Sequence, residues 1–196
     1  MEQFTEKEFK TVAEKAFLKV FAGTNPYDEP FQPNVTPRLL LYPFRWYLGD
    51  PWLTPLVENM EILGEEGFFV SALSRPSEEE NIQSYHWYIP LSEAGKYGSV
   101  VYSQENAIYS TNGTWGIICS DEDHAIVGGP DLLIFNIQKA VTDMDFRIQQ
   151  FIEMWKGYYQ TNGIDIQWLF AMFSHIYGVN AAKYILLQYG LQWLVK

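Results

Sequence analysis

One stretch limits the possible folds of this chain more than any other: Gln104 to Pro130, QENAIYSTNGTWGIICSDEDHAIVGGP. It reads as three short strands joined by two tight turns. Asn112-Gly113 supplies the positive-φ pair that a two-residue type I′ turn demands, and such a turn fixes the register on either side. Thr111 then faces Thr114, Ser110 faces Trp115 and Ile108 faces Ile117. Ser120-Asp121-Glu122-Asp123 reads as a four-residue second turn, which sets Cys119 opposite His124 and Ile117 opposite Ile126. Side chains alternate between faces along a strand, so rows form across the sheet. One row is Ile108, Ile117, Ile126, and the next is Asn106, Cys119, His124. The opposite face carries Ile118, Ala125 and Val127. With both faces apolar, the meander is expected to be central and covered on each side.

The flanks supply the cover. Residues 5–22 predict a helix with Thr5 as N-cap, Glu8 completing a capping box, and a Phe4–Phe9 hydrophobic staple. Phe9, Val12, Ala13, Ala16, Phe17 and Val20 make its apolar stripe, and Gly23 closes it. Prolines 26, 30, 33, 37, 43 and 51 fall within residues 24–51. They exclude a long regular element there and leave a functional segment or a wrapping arm. Leu39–Leu41 is expected to be a short extended piece, and Phe44, Trp46 and Tyr47 to pin the segment down. A helix is expected to follow to about Leu63, started by Asp50-Pro51 or Thr54-Pro55 and closed by Gly64 and Gly67. Strands are expected at 67–73, 84–91 and 99–102, with an acidic loop at 76–81. Residues 131–141 fit either a helix or a strand. Thr142 caps a helix to about Tyr159, and further helices cover 165–177 and 181–189. Strands in the middle with helices at both ends predict one α+β domain over 1–196, with a central antiparallel sheet and helices 142–190 packed on it.

Charge is uneven along the chain. The net charge is −11. Residues 50–82 carry eight acids against Arg75, and residues 83–131 carry six acids against Lys96. Such a field repels nucleic acid, whose phosphates require Lys and Arg, and it steers a basic partner inward. Cys119 is the one cysteine, so no intrachain disulfide is possible and a reducing cytoplasm is the expected setting. The charged N-terminus lacks an apolar signal segment. The apolar run Trp168–Phe173 is far short of the roughly 20 residues that span a bilayer, so no membrane insertion is expected.

Three constellations invite a chemical reading. Asn106, Cys119 and His124 are the residue types of a thiol hydrolase, but a strand cysteine beside an acidic loop has its thiolate disfavoured. Asp121, Glu122, Asp123 and His124 begin with the spacing of a calcium loop. The pattern then fails, since Ile126 stands where glycine is required and no later glutamate follows. Gly128-Gly129-Pro130-Asp131 lacks both the dinucleotide pattern and a P-loop lysine. No cofactor or metal site is therefore expected, and no catalytic residue is assigned.

The runs Tyr109–Ile118 (YSTNGTWGII) and Ala125–Gly129 (AIVGG) resemble the strand–turn–strand centre of small bacterial α+β proteins of the toxin-immunity type. The resemblance spans about 25 of the 196 residues and rests on turn and packing positions. It implies a bacterial cytosolic protein that binds and blocks a partner, and it carries over no functional residue. The acidic loops fit this independently. Asp121, Glu122 and Asp123, with Glu78, Glu79 and Glu80, are the expected contacts for a basic protein, with Trp or Tyr anchors beside them. A second reading is an enzyme or small-molecule binder with an aromatic-lined pocket, its least unlikely chemistry the Cys119/His124/Asn106 thiol site. A third is an oligomer built on the apolar C-terminal helices.

Overall fold

The computed structural model describes residues 1–44, 49, 51–73, 85–100 and 105–195. Its organising element is a seven-stranded, wholly antiparallel sheet: β1 Glu2–Phe4, β2 Arg38–Leu41, β3 Gly67–Ala72, β4 His86–Pro90, β5 Asn106–Ser110, β6 Gly116–Cys119 and β7 Ala125–Gly128. The strand order is β1-β4-β3-β5-β6-β7-β2. The fold is α+β, with β5, β6 and β7 inside the sheet as the apolar rows on both their faces require.

The first hairpin has the expected register but not the expected type I′ turn: Asn112 does not take positive φ, and Gly113 N–H donates to the Ser110 carbonyl at 3.1 Å within a four-residue loop, 111–114. Ile108 pairs with Ile117 and Asn106 with Cys119, Ser110 N–H donates to the Trp115 carbonyl at 3.1 Å, and Gly113 takes φ 71°. The second hairpin is displaced by one residue from expectation. Cys119 pairs with Ala125, Ile118 with Ile126 and Ile117 with Val127, while Ser120 N–H donates to the His124 carbonyl. The loop is therefore three residues, 121–123. Asp123 adopts φ 66°, the left-handed residue that ends a three-residue hairpin loop. Asp tolerates that conformation better than most residues because its short side chain bonds locally. A shift of one residue exchanges faces for every side chain beyond it. Ala125 and Val127 join Ile117 and Cys119, and Ile126 joins Ile118 on the other side.

Two helices cover the first face: α3, Leu53–Ile62, and α4, Asp131–Ala140. Leu56, Met60, Leu133 and Ile137 pack there against Phe68, Val70, Trp115 and Ile117. Residues 131–140 are thus helical, with Leu133, Ile134 and Ile137 inward at helical spacing. Gly64, at φ 73°, closes α3. Trp52, not Asp50 or Thr54, stands at its N-cap, and Asp50 lies outside the described residues. Leu91–Ser99 is a 3-10 helix, so the strand expected from Ser99 does not start there, and residues 101–102 lie outside the described set.

The second face is covered by α1 Glu6–Val12, α2 Glu14–Val20, α5 Met144–Asn162, α6 Trp168–Tyr177 and α7 Val179–Gln188. The Thr5–Glu8 capping box is present. Instead of one helix, the chain bends at Ala13 (φ −115°). That bend keeps Ala13, Ala16 and Val20 against the sheet and leaves Val12 53% exposed. Phe4 packs its ring on Phe69, and Phe9 stacks at 3.6 Å on His86, so each staple ring has a partner in the sheet. Asp143, one residue after the expected Thr142, precedes α5 and receives Arg147 Nε at 2.7 Å. Phe151, Ile152, Phe173 and Leu186 complete this core with Leu40, Tyr109, Ile118 and Ile126. No helix among the described residues is long and apolar enough to cross a membrane.

Candidate functional site

The β6–β7 turn is built to hold its carboxylates in place. Ser120 Oγ accepts from Glu122 N–H at 3.1 Å and His124 N–H at 3.3 Å, and lies 2.8 Å from His124 Nδ1. Ser120 and His124 are both fully buried. Burial is the main reason His124 is pushed down to about 4; backbone carbonyl contacts at Pro26 and Glu122 and the Asp121 charge oppose it. The imidazole is therefore neutral at pH 7 and acts as a structural post. It lies against Tyr27, Phe151 and Trp168, with centroids 5.1, 5.1 and 6.2 Å away.

Beside this post opens a cleft of about 710 Å³. Five separate stretches converge on it. The Pro-rich segment contributes Asn25, Tyr27 and Asp28, the lead-in to β5 contributes Glu105, and the turn contributes Asp121 and Glu122. Trp155 comes from α5, and Ile164, Asp165, Trp168 and Ala171 come from the α5–α6 connection and α6. Local bonds place each of them. Asn25 Oδ1 accepts from Tyr27 N–H at 2.9 Å, and Asp165 Oδ1 accepts from Gln167 N–H at 2.9 Å. Trp168 Nε1 donates to the Asp165 carbonyl at 3.2 Å, and Tyr27 OH donates to Asp121 Oδ1 at 3.0 Å.

The lining holds five carboxylates, and among the described residues that form it there is no Lys, Arg or His. Burial first, and the Asp121 charge second, raise Glu105 above the ordinary carboxylate value. Tyr27 is raised by burial and by its bond to Asp121. Both shifts report a partly dry, negatively charged site that favours an incoming cation.

The expected contacts divide. Asp121 and Glu122 line the cleft. Asp123 serves the fold instead, its carbonyl accepting from Phe44 N–H at 2.8 Å. Glu78, Glu79 and Glu80 lie outside the described residues, as do Trp46 and Tyr47. Sequence reasoning missed Tyr27, Asp28, Glu105, Trp155, Asp165 and Trp168. Nothing in their spacing links them; the fold alone brings them together.

The thiol constellation comes apart. The one-residue shift puts Cys119 with Ile117 on the α3/α4 face, while His124 meets aromatic rings on the other. Asn106 Oδ1 accepts from Tyr97 OH. Cys119 Sγ is 3.8 Å from the same hydroxyl, and burial pushes the thiol up to about 12. Iodoacetamide at neutral pH is therefore expected to label Cys119 only once denaturant unfolds the protein. Stoichiometric labelling of the native form within minutes contradicts this placement.

A second grouping has the residue types of a hydrolase triad. Ser71 Oγ lies 2.8 Å from His86 Nδ1 and 3.0 Å from Tyr109 OH, and His86 Nε2 is 3.4 Å from Glu6 Oε1. Ser71 is 1% exposed, so a substrate does not reach its hydroxyl. The grouping satisfies buried polar atoms between β3, β4, β5 and α1. Among the described residues, no three His, Cys, Asp or Glu side chains assemble as metal ligands. No family model, curated protein or solved structure matches this chain.

Proposed function

We propose that this protein is a non-enzymatic acidic binding protein of the immunity or antitoxin type, which engages a basic protein partner through the cleft at the β6–β7 turn. One observation carries the reading: the turn's Asp121 and Glu122 sit with three further carboxylates and three aromatic side chains around one open cleft. Aromatic anchors beside concentrated charge are what interface hot spots are made of. An acidic field, with no Lys, Arg or His among the described lining residues, speeds encounter with a basic surface and disfavours nucleic acid. The resemblance to toxin-immunity proteins supports the same reading and, with it, a bacterial cytoplasmic setting. The buried, unpaired thiol suits that compartment.

The test is capture from source-cell lysate on immobilised protein, at salt bracketing the range where surface charge is screened, about 50 and 500 mM. A protein of strongly basic composition is expected to be retained at low salt and released at high salt. It is expected to be lost with the Asp121→Asn/Glu122→Gln variant. Equal capture by wild type and variant, or capture indifferent to salt, contradicts the reading.

A further inference from the structure

We infer that the corner formed by Tyr27, Trp155 and Trp168 over Asp121 is a seat for a single alkylammonium group, supplied by a lysine side chain or by a free polyamine. The geometry of the rings carries this. Tyr27 and Trp168 meet at 78° with centroids 4.9 Å apart, Trp155 and Trp168 at 89° and 4.9 Å, and Tyr27 and Trp155 at 87° and 6.3 Å. Three nearly perpendicular planes make a corner whose walls are π surfaces and indole edges. Asp121 is fixed at that corner by the Tyr27 hydroxyl.

The chemistry narrows the occupant. Aromatic faces attract a cation through their quadrupole, most strongly where water is excluded. A neutral apolar ligand gains nothing from the five carboxylates of the lining. A hard divalent ion seeks an oxygen cage in place of ring faces, and no ligand cluster forms among the described residues. An alkylammonium satisfies both walls at once, its methylenes against the rings and its charge toward Asp121, Glu122 and Glu105. The Trp155 side chain lines the cleft while 5% exposed, and no acceptor among the described residues reaches its Nε1–H, so its ring is a largely dry wall against which a cation is held.

The inference rests on the cleft being the docking point proposed above, but it is tested without the partner. Choline, a minimal quaternary ammonium, is titrated into the purified protein beside 3,3-dimethylbutanol, its neutral isostere, with indole NMR shifts and tryptophan fluorescence as readouts. Choline is expected to shift the Trp155 and Trp168 indole signals and to bind at least about tenfold more tightly than the isostere. Trp168→Leu and, at the exposed turn, Asp121→Asn are each expected to weaken choline binding about tenfold or more. Spermidine and a capped lysine tripeptide distinguish the source: tighter binding of the tripeptide supports a protein lysine, tighter binding of spermidine a free polyamine. Equal affinity for choline and the isostere, no binding of any cation, or binding unchanged in Asp121→Asn overturns the seat. Salt-sensitive capture of a basic protein that persists beside such a result leaves the docking surface standing and removes only the seat.

Discussion

Replacing Trp115 with alanine is expected to destabilise the protein by about 3–5 kcal/mol, the usual loss for a large core aromatic. Trp115 heads the fully buried side chains by size among the described residues and lies immediately before β6, between the sheet and α4. Its Cβ stands 2.6 Å from where a Cβ on Gly129 would fall, so the turn leaving the sheet is fitted closely around it. Against a typical domain stability of roughly 5–15 kcal/mol, the loss moves the urea midpoint far down. Trp115→Phe gives a contrasting outcome. No acceptor among the described residues reaches Trp115 Nε1, so phenylalanine removes an unsatisfied buried donor together with part of the volume. The two effects oppose, and the Phe variant is expected to lose much less than the Ala variant. Equal losses in the two contradict the burial of that indole nitrogen.

Acidification is expected to produce the second large effect. The His124 ring takes up a proton at about 4 when folded, against the ordinary 6.5 when unfolded. Between pH 6.5 and 4 the unfolded chain therefore binds the proton and the native state does not. Stability that is fully present above pH 6.5 is lost as the pH falls, by roughly 3 kcal/mol at one pKa unit per 1.36 kcal/mol. His175 has the same sign. Burial and the Arg38 charge lower it to about 4, and its neutral Nε2 accepts from Phe31 N–H at 3.3 Å. Glu105 opposes them, since a raised carboxyl is protonated first in the native state. Urea midpoints at pH 7, 5.5 and 4 check the sum. His124→Gln is expected to start lower at pH 7 and to fall less steeply. A flat wild-type profile, or an unchanged slope in the variant, sinks the account of the histidine post.

The sequence carried local structure far better than it carried the site. The first hairpin kept the register read from Asn112-Gly113, but a four-residue loop with Gly113 alone left-handed carries it in place of the type I′ turn. Thr5 and Glu8 announced the first capping box because both its bonds are local. The second turn misled because Ser-Asp-Glu-Asp fits loops of three or four residues. The left-handed Asp123 decides between them, and that conformation is permitted by the residue type without being signalled by it. The consequence was large, since it separated Cys119 from His124 and removed the thiol alternative. β1 carries no pattern in three residues, and its pairing with β4 is purely tertiary. Asp121 and Glu122 were legible as an exposed acidic turn. The cleft was not, because Tyr27, Trp155 and Trp168 stand more than a hundred residues apart at their extremes, and packing of the helices on the sheet brings them together. The aromatic excess of 17% was its one visible trace.

Hydrogen–deuterium exchange of the protein with and without its captured basic partner tests the central claim most directly. Protection is expected in peptides spanning residues 23–30, 118–124 and 160–171, which border the cleft, and it is expected to vanish with Asp121→Asn/Glu122→Gln. A footprint confined to α3 and α4 on the opposite face, with those three segments unchanged, contradicts the assignment of the cleft as the binding site.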